Sequence, residues 1–167
     1  PPHLHFGVYR RRDGPVDPYY YLLKPSQNLV DISAPLAHLG EWTRTVNQGI
    51  RLRGGPNSRA TVVAELEEHT PVRVLGAAGS WYRVRLPDGQ AGFVAARLTE
   101  AVSEPLRSEV VAEAATMVSG PSETAPVMEA VEAGTGVSVL GTFDGFLYVQ
   151  SPGGNTGWIA SEPTSFQ

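Results

Sequence analysis

Apolar and polar residues alternate along this chain in short runs. Val72 and Val74 are separated by Arg73, and Tyr82, Val84 and Leu86 by Arg83 and Arg85; Val137 with Val139, then Leu147 with Val149, repeat the pattern. A period of two marks half-buried strands, so these residues are the expected inward faces. Pro87-Asp88-Gly89-Gln90 and Pro152-Gly153-Gly154-Asn155 supply a fixed φ followed by residues that tolerate positive φ, which predicts tight turns joining strands as hairpins. The last strand of each set is expected to start at Gly92-Phe93-Val94 or Gly157-Trp158-Ile159. About five short strands around one small core predict a compact all-β barrel.

The barrel is predicted twice. A shift of 65 positions lays Gly55-Pro56 on Gly120-Pro121, the run Val72 to Gly76 on Val137 to Gly141, and Pro87 to Gly89 on Pro152 to Gly154, without a gap. Roughly fifteen of about forty aligned positions are identical, which makes the two segments an internal duplication. The expected organisation is an N-terminal segment over 1–24, a linker over 25–41, a first barrel over 42–100, a linker over 101–113 and a second barrel over 114–164. Turn formers between Pro25 and Gly40 mark the first linker, or an arm packed on the first barrel. Pro105 with several Glu and Ala residues marks the second linker, with room for a short helical turn. Trp42 is placed to cap the open end of the first barrel.

The runs Ile50 to Pro56, Gly79 to Val84 and Gly92 to Val94 together resemble the bacterial SH3-like pattern, whose units open on a run ending in glycine-proline and close on glycine-tryptophan. The second unit keeps Val118-Ser119-Gly120-Pro121 and Gly157-Trp158-Ile159, with Val118 where the first has Arg53. The resemblance covers roughly residues 42 to 163. It implies two tandem small SH3-like β-barrels with a cell-wall targeting role. The exchange at Arg53 sets the two units apart.

Composition supports strands and turns, with 18 Gly and 14 Pro but only 18% charged residues. Cysteine is absent, which excludes disulfides and thiolate metal sites. No stretch reaches the roughly 20 apolar residues of a membrane helix, and no basic-then-apolar signal opens the chain. The net charge of -4 gives no general case for nucleic acid or membrane binding, but its distribution is uneven. From Arg44 to Leu98 about eight Arg face four acids, whereas from Glu104 to Thr164 one Arg faces about eight acids. A continuous basic stripe interleaved with aromatics is missing, so nucleic acid is not an expected partner.

Pro2-His3-Leu4-His5-Phe6 puts two imidazoles on one face of an extended strand, where they can address one metal ion or stand exposed without a partner. Their flanks, Gly7-Val8-Tyr9 and Gly14-Pro15-Val16-Asp17-Pro18 leading into Tyr19 to Leu22, resemble the carboxyl end of lysostaphin-type zinc endopeptidases over about 22 residues. By that resemblance the segment is a β-hairpin remnant of a zinc peptidase domain, His5 is a zinc ligand, and His3 is the catalytic histidine that exchanges a proton with the attacking water. The family's site also requires a histidine-x-x-x-aspartate motif upstream. His38 and His69 have no Asp four positions on. The chain opens mid-motif, so an upstream portion is expected; zinc is expected in the intact parent enzyme, with none held tightly by this chain and no activity from it alone.

On the strands, Trp81, Arg83 and Arg85, and their counterparts Phe146, Tyr148 and Gln150, alternate with the core and face outward or into a groove. Aromatics there can stack on a stem peptide or sugar while Arg pairs with a carboxylate, which makes Trp81, Arg83, Arg85, Phe146 and Tyr148 the candidate ligand-binding residues for peptidoglycan. The same aromatics can also cover the ends of small cores, and Phe93 and Trp158 are expected to pack. The reading is a wall-binding pair of modules from a secreted bacterial zinc endopeptidase, periplasmic, wall-associated or extracellular. A second reading uses the charge asymmetry: the basic barrel docks on the acidic one, or one barrel docks on the catalytic domain and regulates it.

Overall fold

The computed structural model describes residues 8–10, 14–16 and 31–161, and the chain divides into two compact units, Pro1–Asp31 and Ile32–Gln167. In the first unit β1 (Val8–Arg10) and β2 (Gly14–Val16) pair antiparallel, with Val8 opposite Val16 and Arg10 opposite Gly14. A hairpin was expected here from the sequence. His3 and His5 lie outside the described residues.

The second unit is all-β, with two short 3-10 turns and two antiparallel sheets among the described residues. The first sheet contains β3 (Trp42–Thr45), β4 (Ile50–Arg53), β5 (Val62–Leu66), β6 (Pro71–Ala78), β7 (Trp81–Arg85), β8 (Ala91–Ala95) and β9 (Thr99–Ala101) in the order β5-β4-β8-β7-β6-β3-β9. The second contains β10 (Arg107–Val110), β11 (Ala115–Val118), β12 (Val127–Val131), β13 (Gly136–Phe143), β14 (Phe146–Gln150) and β15 (Thr156–Ala160) in the order β10-β13-β14-β15-β11-β12. The 65-residue shift carries β3 to β8 onto β10 to β15, and the two sheet orders coincide once read in opposite directions. These are the two like all-β units that the duplication predicts. The segment 101–113, expected as a linker, instead holds β10, the second repeat's counterpart of β3. Its sequence, Arg-Ser-Glu-Val, shares no landmark with Trp-Thr-Arg-Thr, which is why the alignment did not reach it.

Alternation sets the cores. Leu52, Val72, Val74, Tyr82, Val84 and Val94 are buried together in the first repeat, and Met117, Val137, Val139, Val149 and Ile159 in the second, with Leu147 half-buried against them. Each fully buried aliphatic side chain contributes on the order of 1.5–3 kcal/mol. The turns form as predicted: the Gly89 amide donates to the Leu86 carbonyl with φ +93°, and the Gly154 amide to Ser151 with φ +86°.

A seam joins the two repeats. Buried Arg44 of β3 donates through Nε to Glu100 at 2.7 Å and through Nη1 to the carbonyls of Glu104 at 2.8 Å and Leu140 at 3.0 Å. Such partners are what a buried cation requires. Around it Val118, Leu140, Tyr148 and Trp158 pack with Trp42 and Val102. The Tyr148 ring lies 5.0 Å from Trp158 and 5.7 Å from Trp42, and Phe143 packs against the first core as well as the seam. Trp42 therefore belongs to the seam rather than capping the first repeat. The backbones also meet: the Thr142 amide donates to the His69 carbonyl at 3.1 Å. A Cβ on Gly141 would come within 2.7 Å of that carbonyl and 2.6 Å of Pro71 Cγ, so only glycine fits. His69 itself has φ +63°, the left-handed conformation that its counterpart Gly134 adopts at φ +84°. The ion pair at the seam lies within the first sheet, since Glu100, the acidic partner of Arg44, belongs to that sheet.

The described part of the 25–41 segment is an arm on the first repeat. The amides of Ser33 and Ala34 both donate to the Gly79 carbonyl at 2.9 Å, Ala34 enters the core, and a 3-10 turn follows at Leu36–His38. The Tyr82 hydroxyl donates to the Pro35 carbonyl at 2.6 Å, and burial raises the phenol above its ordinary 10.0. The unfolded chain therefore loses this proton at lower pH than the folded one. The linked stability is complete below about pH 10 and falls as pH rises through the folded value. Urea midpoints measured from about pH 8 to pH 11 should drop at the alkaline end, and Tyr82→Phe should make that decline shallower.

Candidate functional site

The same groove opens on both repeats. In the first it is lined by Ile50, Arg51, Arg53, Ser58, Trp81 and Ala95, and in the second by Ala115, Thr116, Val118, Glu123, Phe146 and Ala160. Each residue of the second set lies 65 positions after its counterpart, so the groove is a property of the repeated fold. The clefts measure about 490 and 400 Å³, within the range of small-ligand sites.

The strands dictate what reaches the groove. Trp81 opens β7 and pairs with Ala95 at the end of β8, which leaves its half-buried ring at the groove wall. Arg53 ends β4 opposite Phe93, at a bulge where the β4–β5 register slips; the β11–β12 ladder slips at the equivalent Val118. Bulges re-aim side chains in this way. Arg53 Nη1 donates to the Ala60 carbonyl at 2.8 Å, which fixes the guanidinium with most of its donors uncommitted by that bond. Arg51 makes only a loose pair with Glu65 at 3.5 Å, both side chains exposed, and exposed Arg97 borders the same groove. The first groove thus combines an aromatic wall with three guanidinium groups. The second combines Phe146 with Thr116, Val118 and Glu123.

The structure separates the residues expected to bind ligand. Trp81 and Phe146 line the two grooves at equivalent positions. Arg83 and Arg85 are exposed on the same face of β7 but outside the groove lining, and Gln150 is exposed likewise on β14. Tyr148 is 5% exposed, closed in by Trp42 and Trp158, because the face of β14 that corresponds to the Arg83 face is the one covered at the seam. Trp158 packs as expected, and Phe93 is half-buried between Arg53 and Arg83 across three strands. Strand alternation did not single out Arg51 and Arg97, since one points into the groove from β4 and the other from a 3-10 turn at Ala96–Leu98. Among the described residues no group of three His, Cys, Asp or Glu side chains gathers to hold a metal ion.

Comparison with known proteins agrees with this fold. The bacterial SH3 domain family matches residues 48–100 and 117–163, more than half of the chain. Two solved structures are similar: NlpC2 from Trichomonas vaginalis, 20% identical with a TM-score of 0.40 over 71% of this chain, and NlpC1 from Trichomonas vaginalis, 20% identical with a TM-score of 0.41 over 77%. This chain spans less than half the length of either, 45% and 47%. No curated protein matches it.

The division between seam and groove has a measurable consequence. Tyr148→Ala should cost about 3 kcal/mol or more in denaturant unfolding, as for a buried aromatic, while Trp81→Ala should cost less than half of that.

Proposed function

This chain belongs to the bacterial SH3 domain family, and we propose that it is a cell-wall binding pair of modules that grips peptidoglycan peptides chiefly through the first groove. The observation that carries this reading is the arrangement of Trp81 with Arg51, Arg53 and Arg97 around one cleft. An aromatic face stacks on a peptide or sugar surface, and guanidinium groups pair bidentately with carboxylates, the anionic groups of a peptide stem. A cleft lined by surface side chains of this kind suits a strand of an insoluble polymer. Among the described residues no helix is long and apolar enough to cross a membrane. A periplasmic, wall-associated or extracellular location is part of the proposal.

The finer proposal is that the modules serve a zinc endopeptidase that hydrolyses peptidoglycan peptide bonds. It is supported by the Pro2-His3-Leu4-His5-Phe6 run followed by a hairpin at β1 and β2. His5 would be a ligand and His3 the catalytic histidine of a site completed by upstream residues. The resemblance supplies one ligand and one base toward the three protein ligands of a catalytic zinc, and among the described residues no group of three His, Cys, Asp or Glu side chains gathers. In this proposal the peptidase activity belongs to the parent enzyme and this chain contributes attachment.

Co-sedimentation with purified peptidoglycan tests the attachment. The parent chain should partition into the pellet and Trp81→Ala should remain largely in the supernatant; a parent chain that stays soluble overturns the reading. Calorimetric titration with zinc tests the assignment of the histidines. Binding should be weaker than about micromolar, and tight stoichiometric uptake would show a complete site within this chain.

A further inference from the structure

The two grooves occupy equivalent positions, yet their chemistry has reversed. Arg51 is replaced by Thr116, Arg53 by Val118 and Ser58 by Glu123, while the aromatic wall persists as Trp81 and Phe146. By the same shift Arg97 corresponds to Glu162, which lies outside the described residues. We infer that the first groove selects ligands bearing a free carboxylate, and that the second groove holds no anion site. This rests on the wall-binding reading and specifies which chemical group of the wall peptide is recognised.

Packing explains the exchange at Arg53. Val118 is buried at the seam with Tyr148 and Trp158, so a guanidinium at that position would be forced among aromatic rings, away from water. Arg53 by contrast is only half-buried, and the Ala60 carbonyl orients the guanidinium without neutralising it. Arg97 has no ion-pair partner among the described residues. The first groove therefore presents more positive charge than its surroundings balance, which favours an anionic ligand group. Glu123 at the second groove repels the same group.

The experiment uses the full chain and two probes: a synthetic wall-type stem peptide with free carboxylates, and the same peptide with every carboxylate converted to the carboxamide. Calorimetry should show one site per chain for the free acid and at least tenfold weaker binding of the amide. Arg51→Gln with Arg97→Gln, both at exposed positions that leave the Arg53–Ala60 hydrogen bond intact, should reduce the preference to under threefold. Thr116→Ala, at an exposed position of the second groove, should leave affinity for the free acid within twofold. Equal binding of the two peptides, two equal sites, or a preference that survives the double substitution overturns the inference. If neither peptide binds but the chain still sediments with whole peptidoglycan, carboxylate selection fails and attachment stands. If sedimentation is also lost, both fail.

Discussion

The guanidinium of Arg44 is the only described charged side chain whose burial is nearly complete, and the relation between the repeats depends on it. A cation taken from water must find oxygen partners, and Arg44 finds them at Glu100, at the Glu104 carbonyl and, across the seam, at the Leu140 carbonyl. Hydrogen bonds to a charged group each contribute about 1.5–3 kcal/mol, and the bond to Leu140 exists only while the repeats are docked. Tyr148 and Trp158, with Trp42 packed against them, add an apolar cluster to the same seam. Together they turn two small domains, each with a modest core, into one compact unit.

Docking imposes a cost in symmetry. One repeat must offer the face and the other must cover it, so equivalent positions experience opposite environments. Leu75 is 39% exposed and Leu140 is 4% exposed; Arg83 stands in solvent while Tyr148 is buried. Two of the exchanges follow this division: Arg53 and Arg83 of the first repeat correspond to Val118 and Tyr148, both buried at the seam. The cores, which see the same surroundings in both, retain Val72 with Val137, Val74 with Val139 and Val84 with Val149.

Periodicity made the fold legible. A period of two locates the inward faces, and turns rich in Gly and Pro locate the hairpins, because both are local properties of a pleated backbone. The duplication supplied the second copy of every element that carried a landmark. β10 escaped notice because edge strands are specified by pairing with a neighbour, here β13, and Arg107 to Val110 have no strong pattern of their own. The groove was half legible. Trp81 and Phe146 emerged from alternation, but Arg51 and Arg97 reach the cleft from different elements, and only the folded arrangement brings them together. Tyr148, read as facing outward or into a groove with packing as the alternative, lies buried at the seam because a strand pattern distinguishes inside from outside, not water from a neighbouring domain.

The seam also has a consequence for the placement of the two grooves. Modules on a flexible linker sample many separations, and a ligand that engages both must first restrict that motion. Here the Thr142–His69 bond and the glycine-only contact at Gly141 fix the separation before any ligand arrives. Whatever the first cleft holds is therefore presented at a fixed distance from the second repeat rather than on a swinging module.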